Sequence, residues 1–282
     1  MRMLVVVLGL LASVGWGVAD FGGGLSSRRG PVLGVLLWSQ LASLLIGGPI
    51  VLAVREPVMQ GQDLVVSIVA GTVGAAGLAL LYRGLSVGRM GVVAPVAAVI
   101  TAGLPVGFGL VTEGIPSIVS IFGIAAAIIS VILISRAPGA ADGRPSGLRY
   151  GIVAGTAFGS FTVLASLLGD GLVLSPILVF RVTSCLVVAG WILFRREPWR
   201  VPRSLWPALV AIGVIDMAAS VAYLSAIDIG PLAIAAILAS LYPVVTTILA
   251  ALVLRERVSP IHAVGIVAAA VAVVLIAGAS AA

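Results

Sequence analysis

The feature of this sequence that most constrains its fold is a series of apolar stretches, each about as long as a membrane is thick. A helix crosses the hydrocarbon core of a bilayer with about 20 apolar residues. Because 9% of the residues are charged and the mean hydropathy is +1.27, these stretches are apolar on every side. The sequence therefore predicts an all-α polytopic membrane protein with ten transmembrane helices, near residues 3–21, 31–53, 64–82, 91–112, 116–135, 149–168, 175–194, 204–226, 231–254 and 260–279.

An internal repeat appears when the chain is shifted against itself by 142 residues. Small residues coincide across all five stretches of each half, as in the pairs Gly17/Gly159 and Gly71/Gly213. We therefore predict two five-helix repeats, residues 1–135 and 149–282, joined by the linker 136–148, which is rich in Gly, Pro and Ala. The first stretch also follows Arg2 as a signal peptide would, but its partner in the second half favours a membrane span.

An odd number of helices per repeat makes the second copy enter the membrane upside down, which is typical of transporters. The arginines agree, because the loops after odd-numbered stretches hold thirteen and the opposite side holds Arg2 and Arg55. By the positive-inside rule the odd-numbered loops are cytoplasmic and both termini face outward. The thirteen are Arg28, Arg29, Arg83, Arg89, Arg136, Arg144, Arg149, Arg195, Arg196, Arg200, Arg203, Arg255 and Arg257.

The remaining composition excludes several classes of site. The net charge of +6 comes from arginines placed mostly in loops, where topology explains them, so it does not indicate nucleic-acid binding. One cysteine, Cys185, and one histidine, His262, leave no disulfide and no zinc site to expect. No phosphate-binding loop is present, and we expect no cofactor, no metal and no ATP hydrolysis.

The last two stretches, LASLYPVVTTILAALVLRERVSPIHAVGIVAAAVAVVLIAG, carry a family resemblance. Together with the two five-helix repeats they are similar to the EamA-type transporters of the drug/metabolite transporter superfamily. In that family the penultimate helix of each repeat ends in a loop with a Glu, and the final helix contains a Gly. The matching residues here are Glu113 with Gly123 and Glu256 with Gly265. The first loop lacks the flanking Arg255 and Arg257 of the second, where the simplest interpretation is a cytoplasmic anchor balanced by Glu256.

The resemblance implies export of small metabolites without ATP hydrolysis, through a central cavity lined mainly by helices 1, 3, 4, 6, 8 and 9. Aromatic and hydroxyl side chains in those helices would then line the cavity, whereas packing inside the bundle is the alternative for Trp16 and Tyr242. The lining residues implied in this way are Trp16, Tyr82, Thr101, Thr156, Ser160, Asp216, Tyr223 and Tyr242.

Two charged residues inside predicted helices are candidates from the residues alone, since charges at membrane depth are expensive. Arg181 lies about one and a half turns into the seventh helix and Asp216 near the middle of the eighth, within side-chain reach of each other. Three interpretations stay open: a structural ion pair, direct contact with a substrate carboxylate or amine, and proton coupling through Asp216. Asp20, Asp170 and Asp228 are expected to be solvated residues at helix ends.

Prolines at membrane depth mark a further set of candidates. Pro95 and Pro105 in the fourth helix and Pro243 in the ninth lie in helices that are repeat partners. Because a proline inside a helix frees a carbonyl group and kinks the chain, we expect these residues to act as gating elements.

The sequence thus predicts a secondary active transporter, an exporter of small metabolites such as amino acids, nucleobases or related amphipathic compounds, working by alternating access. The alternatives are a membrane-embedded enzyme acting on a lipid and a membrane sensor or scaffold without transport. The expected partners are a small-molecule substrate and the lipid bilayer, with proton coupling left open and no nucleic acid, in a monomer or homodimer. The expected location is a bacterial plasma (inner) membrane.

Overall fold

The computed structural model describes residues 2–54, 59, 61–112, 118–136, 145–165, 167–169, 172, 174–229, 239, 241–255 and 260–279. Within these residues the chain forms ten α-helices and one 3-10 turn, Arg203–Leu205, and it contains no strand. The helices are α1 Arg2–Ser26, α2 Val32–Val54, α3 Gly61–Val87, α4 Met90–Thr112, α5 Ile118–Arg136, α6 Leu148–Ala165, α7 Leu174–Arg195, α8 Trp206–Ile229, α9 Tyr242–Leu254 and α10 Pro260–Ala279.

These helices match the ten predicted stretches in order, and this level of the fold prediction is confirmed. Pro260 begins α10, as expected for a residue that lacks a backbone N–H. At the end of α9, Arg255 takes a left-handed conformation with φ 53° and donates its backbone N–H to the Ala250 carbonyl. That turn ends the helix because it reverses the backbone and satisfies a terminal carbonyl.

The outer surface of the bundle is apolar, as a bilayer requires. By length and composition, six helical segments can cross a membrane: α1, α2, α3, α6, α7 and the 3-10 turn with α8. The apolar parts of α4, α5, α9 and α10 in the described residues are shorter. Leu193 and Phe194 are 78% and 79% exposed, and in a multi-pass membrane protein such side chains face lipid.

Helices of one half pack on helices of the other half, and each such pair has a counterpart in which the two halves trade places. Helix α1 packs on α8 and α6 packs on α3, and likewise α2 packs on α8 and α7 on α3. The pairs α2–α7, α4–α9 and α5–α10 each join a helix to its own repeat partner. Most of the packing is therefore between the halves rather than within them.

Small residues let these helices approach closely. A Cβ atom placed on Gly15 in α1 would lie 2.7 Å from the Cβ of Ala219 in α8. A Cβ atom on Gly77 in α3 would lie 3.1 Å from the Cβ of Ala157 in α6. The shift of 142 residues converts the first contact into the second with glycine and alanine exchanged, so the close approach recurs at equivalent places.

A hydrogen bond between helices supports the contact of α9 with α1. The hydroxyl of the buried Thr246 donates to the Gly17 carbonyl at 3.1 Å. Replacing Thr246 with valine keeps the volume and removes this bond, so we expect the free energy of unfolding to fall by about 1 kcal/mol. Denaturant titration in mixed micelles measures the change. Thr72→Val is the control, because the Thr72 hydroxyl is exposed and bonds the Ile68 carbonyl of its own helix; equal losses would contradict the prediction.

Candidate functional site

An ion pair joins α7 and α8 inside the bundle. The Nη2 atom of Arg181 lies 2.6 Å from Oδ2 of Asp216, and the two side chains are 13% and 20% exposed. The two side chains therefore lie within reach of each other, as the helix geometry predicts. In a membrane interior a charge is stabilised by an opposite charge and by hydrogen bonds, since water is excluded.

Hydrogen bonds extend this pair across three helices. Arg181 donates from Nη1 to the Gln40 Oε1 at 2.7 Å and from Nη2 to the Ser220 hydroxyl at 3.0 Å. Ser220 in turn donates to the Asp216 carbonyl at 2.8 Å, and the Gln40 amide donates to the Ser184 hydroxyl at 3.1 Å. The guanidinium is thus held by α2 and α8 while it projects from α7.

The structure contributes residues that the sequence analysis did not select for the site. Gln40, Ser184 and Ser220 are all buried. Ser220 follows Asp216 by one helical turn, and Gln40 is a single amide within an apolar helix. These two features could have pointed to Gln40 and Ser220, but serines are too frequent in this chain for spacing alone to identify the ones in the site.

Asp20 corrects an expectation. It was placed at a helix end, but α1 continues to Ser26, about 9 Å further along the axis. Asp20 is partly buried, and it lies within electrostatic range of Asp216. It therefore belongs inside the bundle. The sequence analysis ended this helix too early, because the glycines that follow Asp20 resemble a loop. Asp170 and the side chain of Asp228 lie outside the described residues.

The aromatic candidates of α1, α3, α8 and α9 gather around these charges. The rings of Trp16 and Tyr223 have centroids 5.2 Å apart. Tyr82 is 2% exposed, is hydrogen-bonded with Ser39 and lies within electrostatic range of Asp20 and Asp216. Tyr242 also lies within electrostatic range of Asp20. Tyr82 and Tyr242 thus lie near Asp20, and Trp16, four residues before Asp20 in α1, contacts Tyr223.

The hydroxyl candidates of α4 and α6 are placed differently. Thr101 donates to the Gly155 carbonyl at 3.3 Å and so ties α4 to α6. Thr156 is exposed and bonds the Ile152 carbonyl of its own helix at 3.0 Å, and Ser160 is partly buried. Among the described contacts, none of the three is bonded to the Arg181–Asp216 network.

The prolines do not share one role. Pro95 is buried within α4, and the helix is continuous through positions 95 and 105; the side chain of Pro105 is outside the described part of the chain. Pro243 is the second residue of α9; Ala239 before it is also helical, and Leu241 between them forms a turn. Proline is tolerated there because the first N–H groups of a helix have no partner in the helix.

The loop residues are described in part. Arg255 is exposed at the end of α9, whereas Glu113, Glu256 and Arg257 lie outside the described residues. Among the residues whose placement is described, no three His, Cys, Asp or Glu side chains come close enough to hold a metal ion.

Comparison with known proteins gives two findings. Residues 145–278 match the model of the EamA-like transporter family, which confirms the resemblance seen in the sequence. A solved crystal structure, described simply as that of a protein, superposes with a TM-score of 0.62 at 17% identity, covering 97% of this chain and 98% of that chain. At this identity the likeness shows the fold alone. No curated protein matches the chain.

Proposed function

We propose, because residues 145–278 match the model of the EamA-like transporter family, that the chain is a secondary active transporter that exports small metabolites. The substrate class we propose is that of amino acids, nucleobases or related amphipathic compounds. Transport proceeds by alternating access, and no step of it uses ATP hydrolysis.

The observation that carries the proposal is the polar network of Arg181, Asp216, Gln40 and Ser220. Helices α2 and α8 both begin on the side of the odd-numbered loops. Gln40 lies about 12 Å from the start of α2 and Asp216 about 15 Å from the start of α8, so both are near the middle of a bilayer about 30 Å thick. Placing charges at this depth costs free energy, which a purely structural element avoids with apolar side chains. A solute site is the reason we give for keeping them.

The exchange of helix pairs between the halves supports an inverted repeat. A two-fold axis in the membrane plane would exchange α1–α8 with α6–α3 and α2–α8 with α7–α3, and these are pairs that pack. With residues 1–135 and 149–282 as the two repeats, rocking one against the other exposes the cluster alternately to each side. The arginine distribution puts the odd-numbered loops in the cytoplasm of a bacterial cell.

Within this proposal the side chains have separate roles. The Arg181–Asp216 pair borders the polar part of the solute, and Trp16, Tyr82, Tyr223 and Tyr242 contact its apolar part. Thr101 faces the pathway from α4 in the first half, and Thr156 and Ser160 face it from α6 in the second. Pro95, Pro105 and Pro243 lie where α4 and α9, which pack on each other, change their relative tilt.

The test is flux into liposomes that contain the purified chain. We expect at least one member of a radiolabelled panel of amino acids, nucleobases, sugars, polyamines and aromatic amines to accumulate faster than in protein-free liposomes. Saturation with solute concentration and inhibition by excess unlabelled solute distinguish carriage from leak. A folded chain that moves none of the panel would contradict the proposal and favour a sensor, a scaffold or a lipid-acting enzyme.

A further inference from the structure

Among the described residues, the carboxylate of Asp20 is the charged group of the cluster that has no partner. Asp216 is paired with Arg181, whereas Asp20 has no hydrogen bond and no ion pair among the described residues. An unpaired carboxylate inside a membrane helix is costly, so a group that pairs with it from outside the protein gains that free energy on binding.

The register of α1 against α8 places the two carboxylates at similar depth. Gly15 packs on Ala219 and Gly22 packs on Ile212, so seven residues along α1 correspond to seven along α8 in the opposite direction. Asp20 is therefore opposite Val214, about 3 Å along the axis from Asp216. Their electrostatic interaction agrees with this register.

The net charge of the cluster selects the sign of the ligand. With both carboxylates ionised, Asp20, Asp216 and Arg181 sum to one negative charge. The Nη atoms of Arg181 already donate to Asp216, Gln40 and Ser220, and its Nε has no partner among the described residues but is buried out of a ligand's reach. A ligand carboxylate would have to displace Asp216 and would meet Asp20 as a like charge, whereas a cation meets an unpaired carboxylate.

Aromatic residues of α1 and α9 lie near this carboxylate. Trp16 lies one helical turn before Asp20 on the same face of α1, and its ring contacts the ring of Tyr223 from α8. The backbone of Tyr242 in α9 packs against Gly17, and its side chain interacts electrostatically with Asp20. Rings beside a carboxylate favour an organic cation, because ring faces attract ammonium groups and ring surfaces contact an attached hydrocarbon.

We propose that Asp20 binds the ammonium group of a monovalent organic amine, whose apolar part packs against Trp16 and Tyr223 while the Arg181–Asp216 pair remains intact. This inference rests on the proposed transport function and narrows its substrate class to organic cations. It also separates two carboxylates that look alike in sequence: Asp216 holds Arg181, and Asp20 holds the ligand.

The test uses four probes of similar size and different charge on the detergent-purified full chain. They are phenethylammonium, neutral phenethyl alcohol, anionic phenylacetate and zwitterionic phenylalanine, and binding is measured by calorimetry. We expect phenethylammonium to bind most tightly. Its affinity should fall about 10- to 100-fold in Asp20→Asn and recover in Asp20→Glu, since a charged hydrogen bond contributes that much.

Asp63→Asn is the matched control, because Asp63 lies at the start of α3 and accepts a hydrogen bond from the Gly169 N–H at 3.1 Å. It should bind phenethylammonium like the parent chain. Asp20→Asn should fold normally, as it removes a charge that has no partner, and an unchanged melting temperature without ligand checks this.

Three outcomes would overturn the inference. The first is tighter binding of phenylacetate than of phenethylammonium. The second is undiminished binding of the amine by Asp20→Asn. The third is that folded protein does not bind the amine while sodium is present. Flux of a neutral or anionic solute would refute the cation site and leave transport standing. Amine binding that depends on Asp20, without flux of any solute, would support the cation site and refute transport.

Discussion

Arg181→Ala is expected to lower the free energy of unfolding more than any other single substitution in the polar cluster. It leaves the Asp216 carboxylate without its ion pair and the Gln40 Oε1 without its donor, both inside the bundle. Removing one partner of a buried pair costs about 3–5 kcal/mol, because the other charge stays buried and unpaired. Thermal unfolding of the purified chain should therefore begin well below that of the parent protein, and solute flux should be lost with it.

The double variant Arg181→Met/Asp216→Leu separates the three interpretations of the pair. If the pair is structural, replacing both charges with apolar side chains restores stability and flux together, as seen for buried ion pairs elsewhere. If the pair contacts the solute, stability returns and flux does not. If Asp216 carries the coupled proton, the single variant Asp216→Asn keeps solute exchange but loses accumulation driven by a proton gradient.

A loop variant serves as the control for both measurements. Arg200→Gln removes an arginine that is exposed beside Trp199, so stability and flux should stay within error of the parent values. Single variants of Arg181 and Asp216 that melt like the parent protein would contradict the ion pair as a stabilising contact.

Gly213→Ala is the second substitution with a large expected effect. A Cβ atom there would overlap the Ser39 carbonyl of α2 and lie 2.8 Å from the Ser43 amide nitrogen. Both contacts are with backbone, so no side-chain rotation relieves them and α8 must move away from α2. Overpacking of this kind costs about 1–3 kcal/mol. It should also weaken the hold of Gln40 and Ser220 on Arg181, which bridges these two helices.

Gly190→Ala is the matched control, because a Cβ atom on Gly190 in α7 meets no atom within 4 Å. It changes the same chemical group in another helix, and its higher helix propensity should leave stability equal or raised by up to about 1 kcal/mol. Melting temperatures of both variants measure the difference. Equal melting temperatures would mean that α2 and α8 are not packed this closely.

The ten helices followed from the sequence because the bilayer imposes their length. Backbone groups in hydrocarbon must be bonded within the helix, so apolar stretches of this length predict helices regardless of how they later pack. The pair of Arg181 and Asp216 was also predictable, since the rise per residue gives the depth of each charge and a short loop makes α7 and α8 sequence neighbours. The inverted orientation of the repeats remains a prediction from helix number and loop arginines.

The cluster around the pair was not predictable in the same way. Gln40 and Asp20 come from α2 and α1, far from α7 and α8 in the chain, and helix packing brings them together. The rotation of each helix about its own axis decides which side chains meet. In this chain the stretches are apolar all round, so no amphipathic pattern reveals that rotation.

What the sequence by itself determined is therefore the number and order of the helices and the depth of Arg181 and Asp216. These follow from local hydrophobicity and from the geometry of one helix. The tertiary structure decided which faces meet: it brought Asp20 within electrostatic range of Asp216, gave its carboxylate no partner among the described residues, and placed Pro243 at the start of α9. Contacts between helices depend on the fit of small residues such as Gly15 and Gly213 against particular neighbours, and that fit exists only once the helices have packed.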